Sequence, residues 1–179
     1  MNTTIEAMKP ADWSLVQAIY VEGIASGQAT FETEAPDWKQ WDEAHHSIGR
    51  LVARRGDTVV GWAALSPASR RRCYAGVAEV SVYVTSNAQG QGVGRQLLEA
   101  LIAVSEQHGI WTLQGGTFAE NETSLRLQRR CGFREIGRRE RIAQLQGVWR
   151  DTVLTERRSA ISGRDGQSPD TAQLQTNGT

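Results

Sequence analysis

The chain has 179 residues, a mass of 19.7 kDa and equal numbers of basic and acidic residues, 20 of each, so it is expected to form one neutral domain. A nucleic-acid binder would carry a basic excess. With only Cys73 and Cys131, a disulfide scaffold and a four-Cys zinc site are excluded. No apolar run is long enough to cross a bilayer, and the opening MNTTIEAMKP lacks the basic and apolar blocks of a secretory leader, so a cytoplasmic protein is expected.

In chain order, Thr4 to Met8 reads as a short strand. Asp12 then caps a helix whose apolar positions Leu15, Val16, Ile19, Tyr20 and Ile24 form a 3.6-residue stripe. Residues 37–47 give a second, weaker helix. Leu51 to Arg55 and Thr58 to Leu65 are strands joined at Gly56-Asp57. Arg70 to Ala75 is a loop with three consecutive arginines, and Glu79 to Val84 (EVSVYV) is the clearest strand. A glycine-rich turn leads into a helix from Gly94 to His108 with the stripe Val93, Leu97, Leu98, Leu101 and Ile102, ended by Gly109. Trp111 to Thr117 is a strand, Thr123 to Cys131 a helix, and Phe133 to Arg141 and Val148 to Glu156 are closing strands. Hairpins at both ends around a βαβ unit predict an α+β (mixed α/β) fold with helices on both faces of one sheet. The domain is expected over residues 3–158. Ser159 to Thr179, in which only Ala160, Ile161, Ala172 and Leu174 are apolar, reads as a disordered tail.

The strongest local signal is QGQGVG, Gln89 to Gly94, between the EVSVYV strand and an amphipathic helix. Glycines let the backbone curl and approach a ligand, and the free N–H groups opening the helix suit a pyrophosphate. No Lys follows to make a P-loop. Gly90, Gly92 and Gly94 are spaced G-x-G-x-G rather than in the dinucleotide pattern. What remains is the coenzyme A loop Q/R-x-x-G-x-G/A, met by Gln89, Gly92 and Gly94, or a plain glycine turn.

Further motifs agree with the first. ATFETEAPDW, AEVSVYV, QGQGVGRQLLEALI, FAENETSLRL, CGFREIGRRERI and GVWRDTVLTER stand in the order and spacing of the phosphinothricin N-acetyltransferase branch of the GNAT superfamily, which residues 3–158 resemble. The resemblance implies a mostly antiparallel sheet splayed at its middle strands, and a homodimer. It also implies direct transfer of acetyl from acetyl-CoA to the α-amino group of a small amino acid such as phosphinothricin, methionine sulfoximine or methionine sulfone. Resistance to such compounds would follow. Val82, Tyr83 and Val84 would contact acetyl and pantetheine. Gln89, Gly90, Gln91, Gly92, Val93, Gly94 and Arg95 would hold the pyrophosphate. Asn121 and Ser124 would bond the pantetheine. Phe31, Glu32, Tyr74, Ala75 and Gly76 match acceptor-lining segments.

The reaction needs a proton removed from an amine, an oxyanion held and a thiolate released. In EVSVYV, Glu79, Ser81 and Tyr83 share one face, while Val80, Val82 and Val84 share the other. Glu79 is the candidate base, because an acid leading a central strand is costly to bury unless it works or is paired; the alternative is a Glu solvated or paired with Arg70 to Arg72. The resemblance assigns it the base role. The backbone N–H of Val82 is the candidate oxyanion donor. Gln128 departs from the pattern, for it stands where the branch has His and other relatives have Tyr. An amide cannot titrate, which leaves Tyr83 or water to protonate the thiolate. Arg72 is the candidate for an acceptor carboxylate, with a solvated basic loop as its alternative. Arg138, Arg139 and Arg141 read as a solvated or dimer-facing strand. His45 and His46 are adjacent on a helix and make no metal face, so no metal is expected. The partner is a small-molecule amine, without nucleic acid or membrane. A peptide N-terminus, a polyamine or an antibiotic is the alternative acceptor, and a weakly catalytic acyl-CoA-binding module is the alternative class.

Overall fold

The computed structural model describes residues 2–164. Its elements are β1 (Thr4–Ala7), α1 (Trp13–Ala25), α2 (Trp38–Ala44), β2 (Leu51–Arg55), β3 (Thr58–Pro67), β4 (Val77–Val84), α3 (Val93–Gln107), β5 (Thr112–Phe118), α4 (Glu122–Arg130), β6 (Arg134–Leu145) and β7 (Val148–Arg158). The strands form one sheet in the order β1-β2-β3-β4-β5-β7-β6. Every pairing is antiparallel except the central β4–β5 pair. The mixed, mostly antiparallel sheet is thus as expected.

Strand alternation divides the core into two layers. Leu51, Ala53, Ala63 and Leu65 pack against Leu97, Leu98, Leu101 and Ile102 of α3. Their neighbours Val52, Trp62 and Ala64 face the other way, against Val16 and Ile19 of α1 and Trp41 of α2. Burying each of the Leu, Ile and Val side chains among them contributes about 1.5–3 kcal/mol. The aromatic layer continues into β4, where Tyr83 stacks on Trp62 at 4.6 Å and meets Tyr20 edge-on at 4.9 Å. Gly23 of α1 makes room for it: a Cβ there would lie 2.7 Å from the Tyr83 ring.

Three expectations need correction. Asp12 precedes α1 but makes no side-chain cap bond. Its carboxylate accepts from Lys9 N–H at 2.9 Å and pairs with Arg54 at 2.8 Å, so the acid goes to the β2 guanidinium instead. The strand expected to end at Arg141 continues to Leu145. Gln146 and Gly147, with φ of 50° and 79°, form a two-residue turn that matches the strand twist, and two bulges absorb the irregular stretch. Finally, the chain stays attached past residue 158. The Ser159 hydroxyl donates to Glu106 at 2.9 Å, and the Ser162 hydroxyl donates to the Glu106 carbonyl at 2.7 Å. The rest of the expected tail, 165–179, lies outside the described residues.

Candidate active site

β4 and β5 pair only from Val77–Thr112 to Glu79–Gln114 and then diverge, while each keeps its outer partner, β3 or β7, to its end. The result is a cleft opening immediately after Glu79. The Thr85 N–H bonds the Val60 carbonyl at 3.0 Å, which sets the β3–β4 phase: odd residues of β4 bond β3, and even residues turn their N–H and C=O toward β5. Val80 and Val82 therefore present backbone groups to the cleft. Their side chains pack on the α3 side, as the alternation predicts. The β5 wall is Gly115, Gly116, Thr117 and Phe118.

The cleft leads to the glycine turn. Gly90 and Gly92 have φ of 73° and 83°, a left-handed conformation that a side chain disfavours. Gly92 caps α3 without a side-chain bond, and the first intrahelical bond runs from Gln96 N–H to its carbonyl at 3.1 Å. The N–H groups of Val93, Gly94 and Arg95 thus have no intrahelical acceptor at the positive end of a 15-residue helix. Side chains brace the turn. Gln89 donates to the Val84 carbonyl at 3.1 Å, Gln91 donates to the Asn87 carbonyl at 2.8 Å, and Gln91 accepts from Arg55 at 2.7 Å. The Val93 side chain is buried in the core, and Arg95 pairs with Glu99 at 2.7 Å. These residues fit an anionic pyrophosphate, and the unpaired strand edges fit an amide-bearing arm.

Glu79 stands at the apex of the cleft and is exposed to solvent, the solvated position that the sequence allowed as its alternative. Desolvation by the surrounding protein pushes its carboxyl above the ordinary value, and the positive charge of Arg139 partly opposes this. It has no ion pair with Arg70 to Arg72. Gly116 faces it across the gap, with 3.8 Å between Glu79 Oε1 and a notional Cβ. Tyr83 is deep in the aromatic layer. Burial raises its phenol well above the usual range, which makes it a poorer acid than free tyrosine.

Gln128 is buried, and all of its hydrogen-bonding groups are engaged. Its Nε2 donates to Thr117 at 2.9 Å and Ser124 at 3.3 Å, and its Oε1 accepts from the Thr155 hydroxyl. Gly115 lies directly over it, 2.7 Å from Oε1 to a notional Cβ. The amide therefore ties α4 to β5 and β7, with no free N–H for a leaving group. Asn121 is likewise engaged: its Oδ1 caps Ser124 N–H at 3.1 Å, and its Nδ2 reaches the Gln28 carbonyl at 2.9 Å, joining α4 to the loop after α1. That loop also carries Phe31, edge-on to Phe118 at 4.7 Å, and Glu32, whose charge is felt by Tyr20 and Tyr83. Arg72, Tyr74 and Ala75 lie on a short turn before β4, where Tyr74 is exposed beneath the Arg71 guanidinium at 5.7 Å. Gly76 is taken up by packing, because the Trp111 ring lies 2.1 Å from a notional Cβ. Arg139, read from the sequence as solvated or dimer-facing, is exposed, and the sequence did not single out Arg150. The latter pairs with Glu120, lies over Phe118 at 5.7 Å and has a buried Nε without an acceptor among the described residues.

Comparison with known proteins gives the family. The model of the acetyltransferase (GNAT) family matches residues 15–133. The phosphinothricin N-acetyltransferase of Alcaligenes faecalis is 33% identical over 161 residues, covering 86% of this chain and 81% of its own. The crystal structure of a ribosomal-protein-alanine N-acetyltransferase from Brucella melitensis is 31% identical, with a TM-score of 0.81 over 87% of this chain and 99% of the other. A phosphinothricin acetyltransferase from Sinorhizobium meliloti, solved in complex with acetyl-CoA, shares the fold with a TM-score of 0.84 at 23% identity, covering 99% and 98% of the two chains. A family model spanning most of the chain and a relative 33% identical over 86% of it lead to one conclusion: the chain belongs to the GNAT family and is an acetyl-CoA-dependent N-acetyltransferase.

Proposed function

We propose that the protein acetylates the α-amino group of a small amino acid of the phosphinothricin or methionine sulfoximine type, by direct transfer within a ternary complex. The observation that carries this reading is the cleft itself: unpaired β4 backbone runs from the anion-binding turn to an acid with a raised pKa. One acetyl-CoA supplies the thioester, with its pyrophosphate at the N–H groups of Val93 to Arg95. An α-ammonium has a pKa of about 8, so Glu79, directly or through water, has only a modest proton-transfer task. The Val82 N–H stabilises the oxyanion as the amine attacks. A thiol of pKa about 8.5 departs tolerably without a side-chain acid, consistent with the engaged amide of Gln128 and the raised phenol of Tyr83. We also propose a homodimer. Support comes from Ile136, Ile142, Val148 and Trp149, which are exposed on the β6–β7 hairpin at the sheet edge.

The test is thiol release from acetyl-CoA with phosphinothricin, methionine sulfoximine, methionine sulfone, common amino acids, spermidine and an alanine-led peptide. Saturable turnover confined to the amino-acid group supports the reading. The likeness to a ribosomal-protein-alanine N-acetyltransferase favours a second acceptor, a peptide N-terminus, and turnover of the peptide alone would establish that instead.

A further inference from the structure

We propose that Arg139 binds the carboxylate of the acceptor, so that the cleft holds a zwitterion with its amine at Glu79 and its acid group at Arg139. The proposal rests on the acceptor class given above and assigns the residue that selects it. Sheet register places the two groups on one face. Glu79 is opposite Gln114, and Gln114 opposite Glu156. Two steps along β5, Phe118 is opposite Thr152, and Thr152 opposite Arg139. Cross-strand partners share a face, and so do residues two apart, so Glu79, Gly116, Phe118 and Arg139 all project to the side where Phe31 closes on Phe118.

Gly116 on β5 and Gly137 on β6 itself flank Leu154 of β7 and add no side chain of their own to this face. Gly116 carries nothing between Glu79 and the β5 edge, and a Cβ on Gly137 would meet no atom within 4 Å. The Arg139 side chain is also free to take an anion. Its neighbours are paired: Arg134 with Glu156, Arg138 with Asp151, Arg150 with Glu120 and Arg129 with Glu135. The Arg139 guanidinium has no ion pair or hydrogen bond among the described residues, while its backbone pairs with Thr152. A bulge between Arg139 and Ala143 bends the strand here, and Asp151 pins it by accepting from Arg141 N–H at 2.8 Å and from the Arg138 guanidinium. Bulges commonly re-aim a side chain beside a site. The charge of Arg139 already reaches the candidate base, since it is the one group that opposes the rise in the Glu79 pKa. Arg72, the alternative anchor, lies on an exposed turn beside Cys73 and Tyr74.

The experiment compares methionine sulfone with its carboxamide, which differ only at the carboxylate, in the wild type, Arg139→Gln, Arg139→Lys and Arg72→Gln. The wild type is expected to prefer the acid about 10–100-fold in kcat/KM, the range of a charge-assisted pair. Arg139→Gln should raise KM for the sulfone by that factor, abolish the preference and leave KM for acetyl-CoA within about twofold. It should also move the acidic limb of the rate profile to higher pH, because a positive charge near Glu79 is lost. Arg139→Lys should restore part of the preference. A preference intact in Arg139→Gln, or lost in Arg72→Gln instead, overturns the role of Arg139 while leaving the amino-acid reading in place. A wild type that acetylates no carboxylate-bearing amine overturns that reading, and the role of Arg139 with it, before any variant is needed.

Discussion

At the residue scale, Gln128 shows how one position can exchange roles. It occupies the place where a leaving-group acid is expected, yet its amide joins Thr117, Ser124 and Thr155 under the sheet. Gln128→Leu should take a partner from the buried hydroxyls of Thr117 and Thr155 and lower stability by about 1–3 kcal/mol in denaturant melts. With no free proton to lose, kcat should change by less than about tenfold. The face that Glu79 shares with Tyr83 was legible from alternation in EVSVYV, and so was the α3-facing side of Val82. Arg139 was not, because an arginine on an edge strand looks like any solvated charge. Only the register through β7 and β5 places it on the Glu79 face. Asp12 was misread for a related reason: its real partner, Arg54, is distant in sequence.

At the element scale, the turn before α3 joins a left-handed backbone to the helix opening proposed to hold the pyrophosphate. Gly92 caps the helix at φ 83°. Gly92→Ala should cost about 1–2 kcal/mol of stability from the left-handed backbone and raise KM for acetyl-CoA, measurable by melts and initial rates. A second device joins the end of β7 to α3. Burial pushes the Glu106 carboxyl up, but Arg157 at 2.8 Å and the Ser159 hydroxyl pull it further down, so its pKa lies below the ordinary value. That stabilisation is complete above the ordinary carboxylate range and is lost as pH falls through the lowered value. Glu106→Gln should therefore cost about 1 kcal/mol near neutral pH, with the gap from wild type closing at acidic pH in a pH series of melts. Composition marked Ser159 onward as tail-like and gave no sign of this anchor, since two serines bonding one glutamate leave no periodic trace. By contrast, the stripe of α3 and the alternation of β4 were readable because each buries one continuous face.

At the scale of the whole molecule, function arises from a sheet that stops pairing halfway along its central strands. β3 and β7 hold β4 and β5 apart beyond Glu79, so the cleft is built from backbone whose hydrogen bonds await a partner. The exposed apolar residues of the β6–β7 hairpin belong to the same scale. Light scattering should give a mass near twice 19.7 kDa, and Ile142→Glu with Trp149→Glu should give the monomer. The splay and the dimer were expected from family resemblance alone, because periodicity reports which face is buried and not where two strands part. Glu79 at the apex of this cleft is the proposed base that takes the proton from the attacking amine. Its most direct test is kcat/KM against pH, for wild type and Glu79→Gln, with the best acceptor found. The wild-type rate should rise with pH through an ionisation above the usual glutamate value, and Glu79→Gln should lose that limb and be slower by about 10²–10⁴-fold. A variant that keeps both the rate and the limb would contradict the account.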